Sequence, residues 1–105
     1  MKTPIVIFGF NRPDALSRLA DSLKSNVGFE EHPIYIFIDG PRDENDTRKT
    51  SEVVRLAKKL TPNVTASNIN KGLGCSIIEG VTDVMTRYGK AIVLEDDLIL
   101  MPGFL

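Results

Sequence analysis

Four short apolar runs recur along the chain, and a stretch with apolar residues at helical spacing separates each from the next. Residues 4–10 form a β-branched and aromatic run, which reads as a strand. Pro13 and Asp14 then open a helix. Proline suits a first turn, where its missing N–H is not needed, and an acidic side chain suits the positive end of the helix dipole. Ala15, Leu16, Leu19, Ala20 and Leu23 give that helix an apolar face. Ile34–Ile38 is the second strand, ended by Asp39-Gly40-Pro41. The polar stretch 42–49 leads into a second helix with the stripe Val53, Val54, Leu56, Ala57 and Leu60, and Pro62 marks its end. Residues 64–66 read as a short third strand and residues 68–74 as a loop. A third helix carries Ile77, Ile78, Val81, Val84, Met85 and Tyr88 on one face, and residues 90–94 are the fourth strand. The order β-α-β-α-β-α-β implies a parallel sheet with helices on its faces and right-handed crossovers. The expected fold class is therefore α/β, a three-layer Rossmann-like arrangement with strand order 3-2-1-4.

The 105 residues suit one domain spanning positions 1–105. With 42% hydrophobic and 26% charged residues, there is enough apolar material for a core. The net charge is -1 and no basic stripe is present, which argues against electrostatic capture of nucleic acid. Cys75 is the single cysteine, so it forms no internal disulfide and no zinc pair; it reads as a small, partly buried side chain. His32, next to Pro33, marks a loop entering a strand. Phe8, Phe10, Tyr35 and Phe37 alternate within strands and are expected in the core. No apolar run has the length of a transmembrane segment and no signal peptide is evident, so a cytoplasmic setting is expected.

The chemistry points to the strands' carboxyl ends. The run Ala91-Ile92-Val93-Leu94 is followed by Glu95-Asp96-Asp97. Three adjacent carboxylates repel by roughly 3 kcal/mol per pair at about 5 Å and an effective dielectric near 20. A cation would offset that cost. Alternation along a strand puts Glu95 and Asp97 on one side, an oxygen-only pair suited to a hard divalent ion, Mn or Mg, with positions left open for phosphate. The other strands lead to Asn11-Arg12, to Asp39-Gly40-Pro41-Arg42 and to Asn70-Lys71-Gly72-Leu73-Gly74. In open parallel sheets ligands bind beyond those ends, where the strand order reverses. Arg12 can neutralise a phosphate, Asp39 can accept from a base N–H, and the amides around Lys71 and Gly72 can meet an anion or a ribose. That glycine loop is not a P-loop, because it lacks the Gly-Lys-Ser/Thr ending.

These pieces together resemble the nucleotide-sugar-binding half of a GT-A glycosyltransferase, of the family 2 type and the related N-acetylglucosaminyltransferase I group. That family's acidic motif has the form D-x-D or E-D-D, followed by an apolar stretch and Pro-x-Phe. Glu95-Asp96-Asp97, Leu98-Ile99-Leu100 and Pro102-Gly103-Phe104 match the pattern. The resemblance implies that Asp97 ligates Mn or Mg, with Glu95 and Asp96 contacting ribose or metal-bound water. It also implies that Asp39 reads the base and that Asn11 and Arg12 lie beside the nucleotide. The donor would be a nucleoside-diphosphate sugar, UDP-sugar favoured, and the acceptor is undefined.

In that family the catalytic base lies well downstream of the acidic motif, so here it is expected beyond Leu105, the last residue of the sequence. The chain accordingly reads as cut short of the acceptor-binding region and inactive alone. Its apolar C-terminal segment, Leu98–Met101 with Phe104 and Leu105, is expected to support a homodimer. A nucleotidyltransferase-like domain and a nucleotide- or metal-binding module without turnover are the alternatives. The first would carry a glycine-rich basic loop after the first strand, where this chain has Asn11-Arg12; a phosphate-accepting receiver domain would carry acidic residues there.

Overall fold

The computed structural model describes residues 3–95, with positions 73–76 described by their backbone alone. The chain runs β1 (Ile5–Gly9), α1 (Pro13–Lys24), a 3-10 turn (Phe29–Glu31), β2 (Ile34–Ile38), α2 (Glu44–Leu60), β3 (Val64–Ala66), α3 (Leu73–Tyr88) and β4 (Ile92–Glu95). The sheet order is β3-β2-β1-β4 and every pairing is parallel. This is the Rossmann-like α/β arrangement that the alternation implies. Ile5 stands level with Ile34 and Ile92, and Phe8 with Phe37 and Glu95. Parallel pairing sends all four carboxyl ends the same way.

Alternation along the strands divides the core in two. Ile5, Ile7, Ile34, Ile36, Ile38 and Leu94 face Leu16, Leu19, Leu23, Val53 and Ala57 of α1 and α2. On the opposite face Val6 and Phe8 meet Val84 of α3, with Tyr35, Phe37, Ile77, Val81 and Tyr88 packed around them. Beyond the carboxyl end of β1, Phe10 is half-buried and leaves the strand pattern. The Cys75 side chain, expected to be partly buried, lies outside what is described.

Several boundaries depart from the sequence reading: β1 is shorter than residues 4–10, and α3 begins at Leu73 inside the stretch read as a loop. Others have a clear local reason. Residues 44–49 are already helix, because Asp43 caps α2 by accepting from the Asp46 amide at 3.2 Å. β4 begins at Ile92, since Gly89 closes α3 in the left-handed region (φ 76°) and its amide bonds to the Met85 carbonyl at 2.8 Å. The connection from α1 to β2 contains a 3-10 turn entered from Gly28 (φ 85°). His32 does mark a strand entry: its Nδ1 donates to the Thr3 carbonyl at 2.7 Å, just ahead of β1. Thr61 Oγ1 and Asn63 Nδ2 both donate to the Ile34 carbonyl, joining the end of α2 to the start of β2. Among the described residues no helix is long and apolar enough to cross a membrane.

Gly80 sets how closely α3 approaches the sheet. A Cβ there would lie 2.8 Å from the Phe8 ring and 3.0 Å from the Phe37 ring, and those rings are stacked with centroids 5.7 Å apart. Alanine favours a helix over glycine by about 1 kcal/mol, but overpacking a seated contact costs about 1–3 kcal/mol. Gly80→Ala should therefore lower the thermal midpoint; a rise would mean that α3 is not seated on these rings.

Candidate functional site at the carboxyl ends of the strands

The strand order reverses between β1 and β4, since β2 and β3 lie on one side of β1 and β4 on the other. In open parallel sheets ligands bind beyond the carboxyl ends of the strands at such a reversal. Glu95 ends β4, exposed and level with Phe8, while the chain after β1 runs on through Phe10 to Asn11 and Arg12. Arg12 is exposed, and its carbonyl accepts from the Leu16 amide as α1 begins. A fixed positive charge thus follows the carboxyl end of β1, exposed to solvent.

The remainder of the sequence motif lies outside the described residues. Asp96 and Asp97 belong to it, as does the whole apolar segment Leu98–Leu105 with Pro102-Gly103-Phe104. The expectations placed there, a metal ligand at Asp97, a dimer surface ending at Leu105 and a catalytic base beyond Leu105, therefore meet no structural observation. Among the described residues no group of three or more His, Cys, Asp or Glu side chains is gathered to hold a metal ion. The donor set of the triplet, oxygen only, fits a hard divalent cation, and Glu95 is its described member.

Asp46 is the site residue that the sequence reading missed. It lies in the first turn of α2, 4% exposed, and ties together the loops that follow β1 and β2. Asn11 Nδ2 donates to its Oδ1 at 2.9 Å, and the Arg42 amide and Nε donate to Oδ2 at 3.1 and 2.7 Å. The same guanidinium lies over the Phe10 ring, 5.2 Å from its centroid. Asn11 is thereby turned toward its own chain. The hydrogen bonds from Arg42, then from Asn11, hold the Asp46 carboxyl well below the ordinary value near 3.8. The pattern Asn11, Arg42, Asp46 carries no periodic signal, because its members come from two loops and a helix start.

Asp39 follows β2 and is 8% exposed. Its Oδ1 accepts from the Gly40 and Lys71 amides at 2.8 and 2.9 Å; its Oδ2 accepts from Asn70 Nδ2 and the Gly72 amide at 3.2 and 3.0 Å. The loop after β3 is thus drawn across the end of β2, with Gly40 beneath it: a Cβ at Gly40 would lie 2.4 Å from the Ile69 carbonyl carbon and oxygen. The Lys71 ammonium pairs with Glu79 of α3 at 2.8 Å. The structure therefore places Asn11, Arg12, Asp39, Lys71, Gly72 and Glu95 at one end of the sheet, with Asn11, Asp39 and the Lys71 side chain engaged by their own chain.

Elsewhere, a groove of about 170 Å³ lies between α1 and α2, lined by Leu16, Ala20, Leu56 and Leu60 with Asp21, Lys24 and Lys59 along it. It sits in a helix layer, apart from the strand ends. The Tyr35 and Tyr88 hydroxyls bond to each other on the α3 face of the sheet, which raises the Tyr88 pKa.

Compared with known proteins, the chain matches no protein-family model and no curated relative. The functional reading therefore stands on fold, geometry and the sequence motif.

A depressed carboxyl pKa stabilises the fold above the group's unfolded value, and that contribution is lost as pH falls. Asp46→Asn should accordingly lower the thermal midpoint at neutral pH. The gap between variant and parent should narrow as pH drops below about 4, the range set by the ordinary value of 3.8. A gap independent of pH would show that the charge of Asp46 is not what fastens the two loops.

Proposed function

We propose that this domain binds a nucleoside-diphosphate sugar across the carboxyl ends of its strands and serves glycosyl transfer to an acceptor. The observation that carries the reading is the reversal of strand order between β1 and β4, with Arg12 exposed on one side and the acidic run starting at Glu95 on the other. A cationic side chain and a carboxylate cluster flanking one crevice suit a diphosphate and a divalent ion together: Arg12 meets phosphate oxygens directly, and the carboxylates reach the same anion only through a cation. Glu95 and Asp97 would hold Mn or Mg, with Asp96 beside the ribose. A bound divalent cation would supply Lewis-acid stabilisation of the departing diphosphate.

The chain's own residues do the rest. Arg12 neutralises charge on the diphosphate. Asp46 holds Asn11 and Arg42 in place, so the Asn11-Arg12 turn meets the ligand without first being ordered; preordering of this kind saves association entropy. The family resemblance adds the sugar to this picture, through the match of the acidic motif and the Pro102-Gly103-Phe104 segment.

Calorimetric titration with UDP tests the reading. Binding should need Mn or Mg and vanish with excess chelator; equal heats in both conditions would sink it. Asp97→Ala should abolish metal-dependent binding while leaving the metal-free melting temperature unchanged or raised, because removing one carboxylate relieves the triplet's repulsion. Arg12→Ala should weaken UDP roughly ten-fold, as loss of one or two charge-assisted hydrogen bonds does, with no change in melting. An Arg12 variant that binds as the parent does would remove the phosphate contact from the crevice.

A further inference from the structure

We infer that Asp39 is a positioning residue that holds residues 67–72 as a fixed shelf, and that a nucleotide base rests on this shelf through Ile69 instead of being read by the Asp39 carboxylate; the inference rests on the nucleoside-diphosphate reading above. A carboxylate has about four acceptor positions, and on Asp39 these are taken by the Gly40, Lys71 and Gly72 amides and the Asn70 side chain. None is left for a base N–H. The sequence expectation for Asp39 therefore gives way to a different role, in which its charge fixes loop geometry.

The shelf is fastened along its length. The Ser67 amide donates to the Ile38 carbonyl at 2.9 Å, and Ser67 Oγ bridges to the Ile69 carbonyl and amide at 2.8 and 3.3 Å. Asn70 Nδ2 also donates to the Gly40 carbonyl at 2.9 Å. Gly40 admits the Ile69 backbone because it has no side chain, and Gly72 turns the chain into α3 at φ 84°. What this framework presents outward is the Ile69 side chain, 66% exposed on a backbone held at its own amide and carbonyl. β2 lies two strands from β4, about 10 Å at the usual strand spacing. That separation suits one molecule whose diphosphate lies at Glu95 and whose base reaches the end of β2. An aliphatic side chain against a flat ring gives contact area without base-specific hydrogen bonds, so recognition at the shelf would depend on the ring's face.

Titrations with UDP and with inorganic pyrophosphate, each with Mn, separate the base contact from the phosphate contact. Ile69→Ala should weaken UDP about five-fold, as loss of part of one buried aliphatic contact does, and leave pyrophosphate binding and melting temperature unchanged. Asp39→Asn should weaken UDP at least as much and accelerate hydrogen exchange at the Lys71 and Gly72 amides, with β1 and β2 amides still protected. Unchanged UDP affinity in Ile69→Ala overturns the shelf, whether or not Asp39→Asn folds. Lost UDP binding in Asp39→Asn with native exchange at Lys71 and Gly72 overturns the positioning role and returns Asp39 to direct base reading. If the parent protein binds UDP no better than pyrophosphate, the shelf fails and the diphosphate reading stands; if it binds neither, both fall.

Discussion

β1 is buried on both faces and hydrogen-bonded along both edges, and the rest of the domain is arranged by that constraint. Ile5, Val6 and Ile7 are wholly inaccessible to solvent. A strand in that position has no polar face, so helices must cover the sheet above and below, and each strand-to-strand connection must cross a face to return. The first two crossovers take α1 and α2 to one side; the third takes α3 to the other and delivers β4 to the free edge of β1. The reversal of strand order is a consequence of that change of side. Its location owes nothing to the polar residues around it.

What surrounds it is organised by buried carboxylates. Asp39 and Asp46 are each under a tenth exposed, a costly place for charge unless every acceptor position is met. Both are met, in part by groups from distant parts of the chain: Asp39 by residues 70–72 with the adjacent Gly40 amide, Asp46 by Asn11 with the nearby Arg42. The cost of burying these charges thus becomes specificity of loop conformation, because any other placement of those loops would leave a buried carboxylate unpaired. Glu95 and Arg12, by contrast, are exposed. Buried acids hold the loops, and these two charges stay open to solvent.

The fold was legible from residue pattern, and the site was legible in part. Apolar runs of five or so residues separated by helical stripes suit a parallel layered sheet, and each strand and helix appears where its stripe lies, but Ile78 and Met85 of the α3 stripe and Val93 of β4 are exposed where the apolar pattern put them in the core. Helix and strand ends were less legible. Polar residues 44–49 show no apolar stripe at their start, and the capping bond from Asp43 decides that they are helical. Phe10 reads as a strand residue by composition, yet it lies past β1 beneath the Arg42 guanidinium. For Asp39 the residue type and position were evident, whereas its four partners come from 1 to 33 residues away and leave no local mark.

By itself the sequence determined the alternation of elements, the two-sided burial of β1, the absence of a basic stripe and the acidic run that begins at the end of β4, because these follow from side-chain chemistry at short spacing. Only the tertiary structure decided which carboxylates are fasteners and which are open. That choice depends on which amides and guanidinium groups come within hydrogen-bonding distance once the crossovers are closed. Asp39, Asp46 and Glu95 are alike as residues at strand ends or helix starts; packing makes the first two internal and leaves the third facing solvent. Hydrogen bonds between segments far apart in the chain are set by the path of the backbone, and the path is fixed by the apolar core.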